Sequence, residues 1–160
     1  MSVDVTVWRI GTDAPEYEAH DLSGKGAQET GGRWNRKGTA VVYTSTSRAL
    51  ACLETVVHLS GSDPLPLNRY LVRIVVPEAA WAARTVIDAE SHVGWDAEPA
   101  GKVSLDWGTA WIRRVDTLLA EVPSVIVPEE ANILINPRHP EAARVRAVKI
   151  RKWLYDLRLK

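Results

Sequence analysis

Arginine, tyrosine, glutamate and serine are the residues of this chain with chemistry to offer a charged sugar compound. Arg33 follows Gly31-Gly32 and, with Arg9, presents forked donors that suit a phosphodiester. Tyr43 offers a flat ring face and a hydroxyl at its tip. Glu54 can hold a hydroxyl or stabilise positive charge developing on a sugar. A dinucleotide with a cationic leaving base needs those three services. Each residue also has a plainer use. Arg33 could be a surface arginine beside a packing Trp34, and Glu54 a rim carboxylate paired with Arg9 or Arg73. Tyr43 could be core, and Ser124, after Pro123, a turn or strand-start residue.

The elements that must position these groups lie mostly in residues 31–54, GGRWNRKGTAVVYTSTSRALACLE. A glycine-rich loop leads into a strand at residues 39–45, where Val41, Tyr43 and Ser45 share one face. Ser45-Thr46-Ser47 supplies N-cap candidates for a helix over 48–59. Leu50, Leu53, Val56 and Val57 fall on its apolar arc, with Glu54 at the margin. Elsewhere the pattern predicts strands at 3–10, 70–76, 85–87, 124–127, 132–135 and 145–153. It predicts a second helix at 109–121, and irregular chain at 11–32, 60–67 and 91–106. Many short strands with two good helices indicate one α+β domain over residues 1–160.

Composition narrows the function. Hydrophobic residues make up 46% and charged residues 25%, ordinary values for a soluble globular chain. Twenty basic residues balance twenty acidic ones, so no overall field favours nucleic acid or an anionic membrane. The start, MSVDVTVWRI, reads as a strand and not as a signal peptide, and one cysteine, Cys52, fits a reducing cytoplasm. His20, His58, His92 and His139 are too scattered for a metal site, and Glu54 with His58 lacks the second histidine of a zinc-protease helix. Arg36-Lys37-Gly38-Thr39 has a phosphate loop's composition in the wrong order. There is no GxSxG elbow. Hydrolase, kinase and dehydrogenase signatures are therefore missing. Seven tryptophans with no phenylalanine suggest no function by themselves.

Residues 31–54, together with VPSVIVPEEANILINPRHP at 122–140, resemble the RES-domain family of bacterial toxins, named for an arginine, a glutamate and a serine. The likeness extends from Trp8-Arg9 to Asp156-Leu157-Arg158-Leu159. It places the family arginine at Arg33, the tyrosine at Tyr43 and the glutamate at Glu54. The serine falls at Ser124, with Ser45 and Ser47 as alternatives near the strand end. The resemblance implies an ADP-ribosyltransferase-like fold with two small facing sheets and a cleft for NAD. It also implies a toxin–antitoxin pair with an Xre-like antitoxin that blocks the cleft, and no metal. Some relatives look like NAD glycohydrolases or phosphorylases, others like transferases acting on a host protein. Cys52 stands where better-known transferases carry the first residue of an ExE or QxE pair, which leaves the acceptor open.

The mechanism so implied is dissociative. Arg33, helped by Arg9, holds the pyrophosphate, and Tyr43 stacks near the nicotinamide. Glu54 binds the ribose 2′-hydroxyl and steadies the cation. Ser124 orients the nicotinamide amide or the ribose, and Asn132 supports them. The opposing reading is a non-catalytic nucleotide- or antitoxin-binding module with a decayed site. Release of free nicotinamide separates the two.

Overall fold

A computed structural model describes residues 3–59 and 61–159. Strand β1, Val5–Thr12, alternates so that Val7 and Arg9 lie on one face and Trp8 and Ile10 on the other. Helix α1, Lys25–Thr30, interrupts the connection expected to be irregular. Strand β2, Val42–Ser45, leads through Ser47 into helix α2, Arg48–Val56. The Ser47 side chain accepts from Leu50 N at 3.0 Å and so caps the helix. The helix stops short of residue 59 because His58 N and Leu59 N bond three residues back, to Thr55 O and Val56 O, which tightens its end into a turn.

Strand β3, Arg69–Val76, is followed by helix α3, Glu78–Ala82, and the two-residue strand β4, Thr85–Val86. Helix α4 spans Lys102–Arg114, not 109–121. Val115 takes a left-handed conformation at φ 57°, which ends the helix, and residues beyond it form strand β5, Leu119–Pro123. Burial explains the difference: Leu119, Ala120 and Val122 are all fully enclosed between neighbouring strands, and tertiary packing overrides the helical spacing. Residues 124–127 are likewise not a strand. The Ser124 hydroxyl accepts from Ile126 N and Val127 N, both at 3.1 Å, and turns the chain instead. Strands β6, Ala131–Ile135, and β7, Arg146–Lys152, complete the sheet. Residues 61–67 are irregular as expected, while Ser60 of that stretch lies outside the described residues.

The strands form one seven-stranded sheet in the order β4-β5-β6-β2-β1-β3-β7. A single sheet stands where two facing sheets were expected, and its two halves meet at a narrow seam. Strands β1 and β2 share a single register pair, Trp8 with Ser45, whereas β1 and β3 pair along eight residues. Beyond that pair the strands part toward Arg9 and Tyr43.

One face of the sheet buries Val7, Val72, Ile74, Leu119, Ile133 and Ile135. On the other, Trp34, Val41, Ala120, Val122 and Leu134 pack against Trp111 and Ile112 of α4. Beside them Ala51 of α2 covers Ile10 and Leu71. Three of the tryptophans form a cluster: Trp34 stacks on Trp95 at 6.2 Å and meets Trp107 edge-on at 5.6 Å. That cluster fastens the loop carrying Arg33 to the chain before and within α4.

Candidate functional site

The narrow seam fixes where the reactive groups meet. Tyr43 and Ser45 share a face of β2, and the register sets Ser45 opposite Trp8 on one side and Asn132 on the other. Helix α2 begins three residues after Ser45 and carries Glu54 back over that face. Glu54 Oε1 accepts from Ser124 Oγ at 2.6 Å and from Asn132 Nδ2 at 2.9 Å. Asn132 Oδ1 in turn accepts from Ser45 Oγ at 2.7 Å. The three residues proposed as the family serine therefore separate by position. Ser124 touches the carboxylate, Ser45 reaches it through Asn132, and Ser47 caps the helix.

Each donor direction is forced. Two backbone N–H groups donate to the Ser124 oxygen, so its own hydrogen is left to point at Glu54. Ser45 is buried and donates to the Asn132 carbonyl oxygen, which turns the Asn132 amide hydrogens toward the carboxylate. Both bonds land on Oε1. Among the described residues Glu54 Oε2 has no hydrogen-bond partner, and no arginine pairs with this carboxylate; Arg9 and Arg73 bond elsewhere or lie apart. Glu54 is therefore not the rim ion pair that its position on the helix allows.

Tyr43 lies in the same face, largely buried. Its hydroxyl donates to Asn35 Oδ1 at 2.6 Å and accepts from Trp34 N at 3.0 Å. Burial, only partly offset by those bonds and by Arg33, pushes its phenol well above the ordinary tyrosine value. The hydroxyl offered by sequence to a ligand is used inside the protein, and the ring alone is left to face one.

Asn35, which sequence reasoning overlooked, is fully buried, and its amide donates to Ala27 O and Thr39 O, both at 2.8 Å. It ties α1, the loop and β2 together around Tyr43. A lone asparagine between an aromatic and two cations gives little sign of this in sequence.

Arg33 does not sit on an open edge. Its guanidinium donates to Trp95 O at 3.2 Å and Ala97 O at 2.6 Å, and pairs with Glu98 at 2.7 Å. Glu98 is 77% exposed, so that ion pair is weakly held and exchangeable. Arg9 occupies the parting between β1 and β2. It lies on the face opposite Trp8, and its Nη1 donates to Tyr43 O at 3.0 Å, where the strands cease to pair. Burial lowers its guanidinium from the ordinary arginine value, while Tyr17 and Asp21 favour its charge and Arg69 opposes it. Arg9, Tyr17, Asp21 and Gly24 line a narrow cavity there. The structure thus gathers Glu54, Ser124, Asn132 and Ser45 directly, and Tyr43 on the same face. Arg33 joins them through the Trp34 backbone, and Arg9 from behind the seam.

No group of three or more metal-ligating side chains is present among the described residues. No described helix is long and apolar enough to cross a membrane.

The parted α+β sheet with a carboxylate at its seam agrees with the ADP-ribosyltransferase-like fold of the family whose model the chain matches. The RES domain family model matches residues 6–158. The chain belongs to the RES domain family. It is 61% identical over 153 residues to a protein of Sphingobium sp. (strain YBL2) named "Prs ADP-ribosylating toxin", covering 95% of this chain and 94% of that one. It is 36% identical over 145 residues to "Toxin Res" of Yersinia enterocolitica, covering 90% and 93%. It is 34% identical over 154 residues to "Toxin Res" of Pseudomonas putida, covering 96% and 98%.

Proposed function

We propose that this protein is the toxin of a toxin–antitoxin pair, cleaving the nicotinamide–ribose bond of NAD and passing ADP-ribose to a host protein. The observation that carries the reading is the division of labour on Glu54. Both protein donors bind one oxygen, which holds the carboxylate rigid and leaves Oε2 for a hydroxyl of the sugar. NAD is substrate here, not a resident cofactor. Its C1′–N bond breaks with the electron pair leaving on nicotinamide, a neutral base, and the positive charge falls on C1′ and the ring oxygen. Glu54 Oε2 accepts from the adjacent 2′-hydroxyl and opposes that charge. A nucleophile of the acceptor then bonds to C1′ and releases its proton to solvent. Likeness to the Sphingobium protein supports a protein acceptor over water or phosphate, and makes Prs the first to try.

The remaining residues serve binding. Arg33 takes the pyrophosphate by exchanging the Glu98 carboxylate for a phosphate oxygen, keeping the forked geometry. Arg9 adds positive charge from the floor of the seam. The Tyr43 ring, fixed at its hydroxyl by Asn35, stacks near the nicotinamide. An Xre-like antitoxin covers the cleft and stops turnover.

Incubating the pure protein with NAD and measuring free nicotinamide tests the reading. Release is expected, with labelled ADP-ribose appearing on Prs. Tight NAD binding with no release would establish the non-catalytic module instead.

Ser45 yields a separate prediction. If it acts only by aiming Asn132, Ser45→Ala and Asn132→Ala should not be additive: Ser45→Ala should lower turnover in the native background and do nothing further in Asn132→Ala. The coupling should lie within roughly 0.5–3 kcal/mol. Additive losses in the four-protein cycle would show that Ser45 acts independently of Asn132.

A further inference from the structure

The seam register continues outward as a row. On the face that carries Glu54, Asn132 pairs with Ser45, Ser45 with Trp8, Trp8 with Arg73, and Arg73 with Val148. Strands lie about 4.8 Å apart, so Val148 stands roughly 14 Å from Ser45 along a straight line across four strands. Helix α2 covers only part of this half of the sheet, through Ala51 over Ile10 and Leu71. Beyond Trp8, which is half-buried, the row opens to solvent. Arg73 is exposed, and Val148, on the edge strand, is 43% exposed. Arg48, also exposed, lies over the Trp8 ring at 4.8 Å from its centroid.

The charges of this strip are one-sided. Arg48 and Arg73 have no carboxylate within ion-pair distance among the described residues, while Arg146, two residues before Val148, pairs with Asp4. In this row Arg73 stands between Trp8 and Val148, and Arg48 lies over Trp8, so the strip is basic with an apolar residue on either side of Arg73. A protein whose side chain is to reach C1′ of the ribose must rest its own surface beside Glu54, and this row leads away from it without a step.

We propose that the Trp8–Arg73–Val148 strip, with Arg48 over Trp8, is the docking surface for the acceptor protein, and that it receives an acidic patch flanked by apolar side chains. The proposal rests on the transferase reading above. Arg73 and Arg48 speed encounter with the acceptor and set its orientation. The apolar pair then holds it while its nucleophile lies over the seam. None of these residues bonds Glu54, which is held by Ser124 and Asn132, so docking and cleavage are separable experimentally.

Purified Prs is the probe, with Arg73→Glu and Val148→Asp as variants and Arg73→Lys as the conservative control. Three quantities are read: Prs binding to immobilised toxin, KM for Prs in label incorporation, and nicotinamide release without Prs. Arg73→Glu and Val148→Asp should each weaken Prs binding and raise KM for Prs by about tenfold, with steeper loss at higher salt in the native protein. Arg73→Lys should keep most of the affinity, and release without Prs should be unchanged in all three. Native-like Prs binding by both acidic variants would overturn the proposal. Absence of Prs binding by the native toxin would do the same. So would variants that lose only antitoxin binding, or only self-association in sedimentation, which would assign the strip to those occupants. Failure of the native protein to release nicotinamide would count against the catalytic reading alone, since the binding measurement does not depend on turnover.

Discussion

Replacing Glu54 with glutamine is expected to slow nicotinamide release by about 10²–10³-fold while leaving the protein folded. Glutamine keeps a carbonyl oxygen where Oε1 stands, so Ser124 and Asn132 still have an acceptor and no buried donor is orphaned. Its amide nitrogen falls where Oε2 was. That group donates and cannot accept the sugar hydroxyl, and the negative charge opposing the cation is gone. Because the charge develops only as the bond breaks, the loss should appear in kcat with little change in KM for NAD. The variant should melt with the native protein. A purified, folded Glu54→Gln protein with near-native kcat would remove Glu54 from the chemistry. Ser124→Ala should be milder in rate but costlier in stability, since Ile126 N and Val127 N lose their acceptor as well.

Much of this arrangement was legible because it is local. Strand, cap and helix lie within residues 42–56, so period-2 and period-3.6 spacing place Tyr43, Ser45 and Glu54 relative to one another before any long-range contact is known. The partners of Glu54 were less legible. Ser124 and Asn132 are 70 and 78 residues away; the register of β6 on β2 brings in Asn132, and that of β5 on β6 brings in Ser124. The stretch around residue 115 misled for a definable reason. Trp111, Val115 and Leu118 keep helical spacing, but Val115 adopts a left-handed backbone and Leu119 pairs into the sheet. No sequence rule anticipates positive φ at a valine, a residue whose branched side chain disfavours it. The state of Arg33 was hidden too. Its partners Trp95, Ala97 and Glu98 come from an irregular segment without periodicity, and that segment is held by tryptophan contacts with no pattern to count.

Gly108→Ala should destabilise the protein, although it replaces glycine inside a helix. In α4 the exchange gains about 1 kcal/mol of helix propensity by itself. Here, however, an added Cβ would overlap the Trp34 carbonyl oxygen and come within 2.7 Å of its carbon and 2.9 Å of its Cα. All three are backbone atoms, so no side chain can swing aside. Either α4 lifts from the sheet, exposing the fully buried Trp111 and Ile112, or the loop at residues 33–35 shifts. A cost of about 3 kcal/mol, the upper end of such overpacking because the clash is with backbone, leaves a net loss of about 2 kcal/mol after the propensity gain is subtracted. In a domain of this size that lowers Tm by roughly 4–8 °C. The loop carries Arg33, and Trp34 N and Asn35 hold the Tyr43 hydroxyl, so KM for NAD should rise even below the new melting point. Thermal unfolding of the purified variant decides the matter. A Tm equal to or above the native value would mean that α4 and the Trp34 backbone are not in contact, and the clamp on the loop that carries Arg33 and holds the Tyr43 hydroxyl would have to come from elsewhere in the fold.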